Sequence, residues 1–139
     1  MYLLKPWAGW CHIDIGKFHG SASYLTDVPM QFLDSFELYF SNWATPAINF
    51  DEEGSNFIII VEEYRTYIIS ERAGTKLYKI EVDREDFIKS IVGDIEDNFE
   101  EFVKWDAFTP EIEEEEEAAR RRVLKSKIEA VKLKLDRYI

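Results

Sequence analysis

The chain has 139 residues, of which 46% are apolar, and a formal net charge of −11 at pH 7. This size and apolar content suit one domain with its own core. The acidic balance argues against nucleic acid and anionic membranes as partners and favours a basic protein. A single cysteine, Cys11, excludes an internal disulfide and a thiol-based zinc site, and the sequence predicts no cofactor.

The sequence shows neither a signal peptide nor a membrane span. The first residues, MYLLKPWAGW, lack the long apolar core of a signal peptide, and no stretch approaches the roughly 20 apolar residues that cross a bilayer. We therefore expect a cytoplasmic protein.

The N-terminal third predicts a hairpin and then a helix. Residues 1–9 indicate an irregular lead-in, because they contain Pro6 and Gly9. Two alternating stretches, 10–15 and 18–25, flank a Gly-Lys pair that suits a two-residue turn. The resulting register has three facing pairs: Ile15 with Phe18, Asp14 with His19, and His12 with Ser21. A capping residue and an early proline then predict a helix over residues 28–41.

The middle of the chain predicts most of the sheet. Residues 47–50 indicate a short strand, and the stretch FIIIVEEYRTYIISERAGTKLYKIEV (residues 57–82) indicates a three-stranded antiparallel meander. The run Ile58-Ile59-Ile60 predicts a strand that is covered on both faces. In the last strand, Tyr78, Ile80 and Val82 share one face.

A long amphipathic helix is predicted over residues 84–104 and is expected to pack on the sheet. Asp83 suits its N-cap, and its apolar residues recur every three or four positions. Gly93 interrupts the pattern, and close packing against a neighbour is one explanation for it.

The C-terminal segment, residues 110–139, has a different composition. It carries eight acidic and eight basic side chains, so the whole excess of acid lies in residues 1–109, which carry twenty acidic and nine basic side chains. Glu116 and Glu117 stand four residues before Arg120 and Arg121, which favours ion pairs along one helix. An apolar stripe runs along this predicted helix: Leu124, Ile128, Val131, Leu135 and Tyr138. The stripe either docks on residues 1–109, a single α+β domain, or pairs with a second copy as a homodimer through residues 111–139.

The most suggestive polar set is His12, Asp14 and His19, which the hairpin register places on one face. Two imidazoles and a carboxylate can hold zinc or iron, or a His–Asp pair can transfer protons. The alternative interpretation is the solvent side of a half-buried hairpin, where polar residues belong.

Acidic side chains are the second candidate for a functional site. The outer face of the long helix and the predicted turn after residue 61 provide six of them as candidate contacts for a basic protein: Asp94, Asp97, Glu100, Glu101, Glu62 and Glu63. A field of one sign speeds association with an oppositely charged partner. An ordinary solvated surface is the alternative.

Two stretches, IDIGKFHGSASYLTD (residues 13–27) and NFDEEGSNFIIIV (residues 49–61), carry a general resemblance to a class of bacterial proteins. In its small size, acidity and α+β pattern the chain resembles the immunity proteins that bacteria make against polymorphic or contact-dependent toxins. The resemblance implies a tight complex with a basic toxin domain, and it assigns no functional residue.

The sequence therefore predicts an α+β fold with a mainly antiparallel sheet, formed by the N-terminal hairpin and the meander, against a long amphipathic helix and a charged C-terminal helix. The leading function is non-enzymatic protein binding, as an immunity or inhibitor protein that neutralises a basic partner. The alternatives are an enzyme that uses His12, Asp14 and His19, with or without a metal, and an adaptor that dimerises through its C-terminal helix.

Overall fold

The computed structural model describes residues 2–7, 9–105 and 114–138. Across these ranges the chain forms seven strands and four helices. The strands are β1 (Tyr2–Trp7), β2 (Trp10–Ile15), β3 (Phe18–Ser23), β4 (Ala47–Asp51), β5 (Asn56–Val61), β6 (Arg65–Ser70) and β7 (Lys76–Glu81). The helices are α1 (Val28–Asn42), α2 (Arg84–Asp97), α3 (Phe99–Val103) and α4 (Glu114–Tyr138).

The strands form two antiparallel sheets, of order β1-β2-β3 and β4-β5-β6-β7. The predicted α+β class and the antiparallel pairing are confirmed. The predicted hairpin register is confirmed as well, since Asp14 faces His19 and His12 faces Ser21. Phe18 joins the two sheets, because its ring lies 4.8 Å from that of Phe57 and 5.3 Å from that of Tyr78.

The prediction of an irregular lead-in was wrong, because residues 2–7 form edge strand β1 against β2. Pro6 is tolerated there for a geometric reason. The N–H of Leu4 points away from β2, toward α2. Residues two apart point the same way, so the N–H that Pro6 lacks would not have bonded to β2.

The predicted helix over residues 84–104 is interrupted. It ends at Asp97 and resumes at Phe99, with Asn98 at φ −112° and ψ 28° between the two pieces. The Asn98 amide donates to the carbonyls of Leu4, at 3.2 Å, and of Asp94, at 2.9 Å. At the break, the Asn98 side chain therefore provides a hydrogen-bond donor for the Leu4 carbonyl on the free edge of β1. Apolar periodicity in the sequence does not predict this contact.

Helix α4 docks on its own chain, against α1, α2 and α3. Its stripe residues Leu124, Ile128, Val131 and Leu135 are buried by this docking. This docking covers the apolar side chains that a dimer through residues 111–139 would use. The alternative of an adaptor that dimerises through this stripe would require these side chains to be exposed first, and it stays a prediction. The Tyr138 side chain, the acidic residues Glu111 and Glu113, and the predicted domain limit near residue 110 lie outside the described residues.

The four-stranded sheet has one buried face and one open face. Phe57, Ile59 and Val61 of β5 are fully buried, whereas Ile58 and Ile60 on the other face are half-buried. The prediction that this strand is covered on both sides was therefore wrong. In the described ranges, no helix has the length and apolar character required to span a membrane.

Candidate functional site

The polar face of the β2–β3 hairpin forms two separate pairs. The Nδ1 atom of His19 lies 2.7 Å from Oδ1 of Asp14, and the Nδ1 atom of His12 lies 3.0 Å from the Ser21 hydroxyl. The strand register explains both contacts, because each pair consists of directly facing residues. Each histidine therefore already has a partner, and the two pairs occupy successive positions along the strands.

The hypothesis of a metal site at His12, Asp14 and His19 is corrected by this geometry, whereas the hypothesis of a histidine-assisted enzyme stays a prediction. The His19 side chain is 73% exposed and that of Asp14 is 36% exposed. Among the residues that the structure describes, no group of three or more His, Cys, Asp or Glu side chains could hold a metal ion. Sharing a sheet face is not enough, since a metal requires the donor atoms to converge on one point.

Cys11 is buried in the core, and burial raises the pKa of its thiol to about 12. The Sγ atom lies 3.6 Å from the carbonyl of His12, and a hydrogen bond from the backbone of Lys5 offsets part of the effect of burial. A thiol that stays protonated at neutral pH is a poor nucleophile, so Cys11 is a packing residue.

Two of the four acidic candidates on the long helix have partners within the same chain. Asp94 accepts a hydrogen bond from the N–H of Leu4 at 3.1 Å, and burial raises the pKa of its carboxyl despite this bond. Glu100 pairs with Arg121 of α4 at 2.7 Å, and this hydrogen bond lowers the pKa of Glu100. Both carboxylates therefore hold elements of this chain together.

Asp97 and Glu101, the other two candidates on this face, are exposed. Neither has an ion pair among residues 2–7, 9–105 and 114–138. Basic residues of α4 nevertheless lie beside this face, as shown by Lys132, which pairs with Glu96 at 3.1 Å. The acidic field expected along the long helix is therefore partly neutralised by the C-terminal helix.

Glu62 and Glu63 lie in the turn between β5 and β6, and both are exposed. The next residue, Tyr64, has 63% of its surface exposed. Its pKa is raised, first by a hydrogen bond and the charge of Glu63, and further by the charges of Asp83 and Glu85. The phenol therefore stands among carboxylates that come from two different parts of the chain.

A second exposed aromatic, Trp43, is linked to this turn through a chain of contacts. Its ring meets that of Tyr39 edge-on at 5.7 Å, and the Arg84 guanidinium lies over the Tyr39 ring at 4.4 Å. Arg84 also donates from Nη1 to the Tyr39 hydroxyl at 2.7 Å, and its backbone N–H donates to the carbonyl of Glu63 at 2.9 Å. Helix α1, the start of α2 and the β5–β6 turn are thus held at one end of the molecule.

We refer to this region as the acidic–aromatic surface, and it comprises Trp43, Glu62, Glu63, Tyr64, Asp83 and Glu85. Trp43 is 62% exposed and sits in the left-handed region, at φ 59° and ψ 21°. Bulky side chains rarely adopt this conformation, and strain of this kind is often found at functional positions. Exposed aromatics with surrounding carboxylates offer both apolar anchors and charge to a basic protein.

Sequence reasoning identified Glu62 and Glu63 but missed the rest of this surface. Tyr64 was detectable as the residue that continues the Glu-Glu turn. Asp83 and Glu85 come close to the turn only after α2 has packed. Trp43 is linked to the turn only through Tyr39 and Arg84.

We compared the chain with protein-family models, with curated proteins and with solved structures, and no match was found in any of the three.

Proposed function

We propose that this protein is a non-enzymatic binding protein that recognises a basic protein through the acidic–aromatic surface, in the manner of an immunity protein or inhibitor. The observation that carries the proposal is the position of Glu62 and Glu63 beside exposed Tyr64. No ion pair neutralises these two glutamates within the described ranges.

In this proposal the aromatic and the acidic residues of the surface have different roles in binding. Tyr64 and Trp43 would supply the buried anchor contacts, which usually carry most of the binding energy. The glutamates and Asp83 would attract lysine and arginine side chains and speed the encounter. The excess of eleven negative charges in residues 1–109 adds a long-range attraction for a basic partner.

The test compares two charge reversals of equal size. The protein is used as bait on extracts of the source organism at low and at high salt, alongside Glu62→Lys/Glu63→Lys and Asp97→Lys/Glu101→Lys. Each double variant changes the net charge by +4, but only the first alters the acidic–aromatic surface. We expect the wild type to recover a basic protein at low salt, less of it at high salt, and the Glu62/Glu63 variant to lose it.

Retention of the partner by the Asp97/Glu101 variant completes the expected result. Loss of binding in both variants to the same extent would mean that only net charge matters. Loss in the Asp97/Glu101 variant alone would assign binding to the long helix instead. Recovery of no basic protein by the wild type would contradict the proposed function as a whole.

A further inference from the structure

Strand β7 is the outer strand of the four-stranded sheet, and it is much more exposed than its neighbours. Leu77 is 66% exposed, and Lys79 and Glu81 are exposed on the same face. Tyr78 and Ile80, on the other face, are only half-buried against the core. In the described part of the chain, no strand pairs with the far side of β7.

The backbone of β7 has hydrogen-bonding groups that face outward. Val82 donates its N–H to the carbonyl of Tyr64, in the register that continues the β6–β7 pairing. Antiparallel strands alternate between residues that bond to the neighbour and residues that point away. The N–H and C=O groups of Leu77, Lys79 and Glu81 therefore point away from β6, as a template for another strand.

We propose that two copies of this chain associate by antiparallel pairing of β7 with β7, which joins the two four-stranded sheets into one of eight strands. The charge pattern selects the register. With the two-fold axis at Ile80, Lys79 of each copy faces Glu81 of the other copy. Ile80 then faces Ile80, and Tyr78 faces Val82.

This register gives favourable pairs on both faces of the sheet over residues 78–82. The backbone N–H and C=O groups of Lys79 in one copy form hydrogen bonds with those of Glu81 in the other copy. The side chains of these residues form two opposite-charge pairs on the open face. The half-buried residues Tyr78, Ile80 and Val82 form apolar pairs on the core face. A shift of each strand by one residue would place Lys79 opposite Lys79, and facing like charges destabilise a sheet.

The local charge also favours this site. Residues 65–81 contain four basic and two acidic side chains, a net charge of +2, in a molecule of net charge −11. The strands that meet therefore lack the excess of negative charge carried by the rest of residues 1–109. Within one chain, Nζ of Lys79 already lies 3.5 Å from Oε1 of Glu81, so pairing extends an existing ion pair into a network. This inference does not depend on the proposed function.

Sedimentation equilibrium over a wide concentration range tests the proposal. We expect the wild type to form a dimer and Lys79→Glu to raise its dissociation constant by about tenfold or more, because two attractions become repulsions. Glu81→Lys should have a similar effect, and Lys79→Glu/Glu81→Lys should restore the dimer. Lys89→Glu, which makes the same charge change on the exposed face of α2, is the matched control and should leave the dimer intact.

A second variant tests the backbone directly. Lys79→Pro removes an N–H that points away from β6, so it should abolish the dimer while leaving the circular dichroism spectrum unchanged. A wild type that remains monomeric at every concentration would overturn the proposal. A dimer that is insensitive to both Lys79→Glu and Lys79→Pro would overturn it as well, since association would then use another surface.

Discussion

Arg120 of α4 binds Asp27, the N-cap residue of α1, with two hydrogen bonds. Its Nη1 and Nη2 atoms donate to the two carboxylate oxygens at 2.6 and 3.1 Å. Its Nε atom also donates to the carbonyl of Phe102 at 2.9 Å. One side chain thus joins three helices, and it does so with Asp27 in place of Glu116, the partner that sequence spacing favours. The neighbouring pair behaves as predicted, with Arg121 3.3 Å from Glu117.

We predict that Arg120→Ala lowers the free energy of unfolding by about 2 kcal/mol, since partly buried bonds to a charged group are lost and Asp27 is left unpaired. Arg120→Lys should recover only part of this loss, because lysine cannot form the two parallel bonds. Urea unfolding followed by circular dichroism measures both. Arg122→Ala, an exposed neighbour on the same helix, is the control, and an equal loss there would refute the role assigned to Arg120.

A second prediction concerns Asp94 and pH. Because burial raises the pKa of Asp94 in the folded state, the fold favours the protonated carboxyl. This contribution to stability is complete below the unfolded-state pKa, about 3.9, and is lost as the pH rises through the folded-state pKa. An asparagine at this position is neutral at every pH, and its side-chain oxygen can still accept the hydrogen bond from the Leu4 N–H. The stability of Asp94→Asn relative to the wild type should therefore increase as the pH rises from about 4 to 7.

The Asp94→Ala variant distinguishes the contribution of the hydrogen bond to stability from that of the carboxylate charge. It removes the acceptor for the Leu4 N–H at the edge of β1, so it should cost about 1 kcal/mol relative to Asp94→Asn at pH 7. Urea unfolding of the three proteins across this pH range provides the measurement. A constant difference between Asp94→Asn and wild type at every pH would show that the carboxyl does not titrate differently on folding.

A third prediction concerns the strained conformation of Trp43. A residue with a side chain pays about 1 kcal/mol in the left-handed region, whereas glycine does not. Trp43→Gly and Trp43→Ala both remove the ring, so the glycine variant should be about 1 kcal/mol more stable than the alanine variant. If Trp43 anchors the partner, both variants should bind it more weakly than the wild type. Equal stability of the two variants would argue against strain at this position.

The surroundings of Gly20 and Gly93 predict that substitution by alanine has opposite effects on stability at the two positions. A Cβ at Gly20 would lie 2.6 Å from the Phe18 ring and 3.0 Å from that of Phe57, so Gly20→Ala should destabilise the fold by about 1–3 kcal/mol. A Cβ at Gly93 would meet nothing within 4 Å, which contradicts the explanation by close packing. Gly93→Ala should stabilise α2 by about 1 kcal/mol. Thermal and urea unfolding test the two variants side by side.

The hairpin and the meander were predictable because their information is local. The turn pair Gly16-Lys17 and the alternation on each side are enough to place His12 opposite Ser21 and Asp14 opposite His19. Strand β1 was missed for the opposite reason. Pro6 lies inside β1 and Gly9 follows shortly after its end. Pro6 is acceptable because β1 is an edge strand, and the backbone groups of Leu4 on that edge bond to Asp94 and Asn98, which are 90 and 94 positions away.

The candidate site likewise contains some residues that the sequence predicted and others that only packing brings together. Glu62 and Glu63 were predictable as charged turn residues next to a buried strand. Their association with Trp43 and Asp83 was not, because it depends on how α1 and α2 pack at the end of the sheet. The structure also shows that Asp94 accepts a hydrogen bond from Leu4 and that Glu100, although 59% exposed, pairs with Arg121. A carboxylate on an apparently solvated helix face can therefore already have a partner in its own chain.

The sequence alone determined the α+β class, the antiparallel hairpin register and the acidic surface, because periodicity, turn residues and charge act over a few positions. Only the tertiary structure decided that the C-terminal stripe is buried in the same chain and that the long helix breaks at Asn98. It also decided that the histidines do not converge. Each of these depends on which distant surfaces meet, and an apolar stripe or a carboxylate fits several partners equally well until packing selects one.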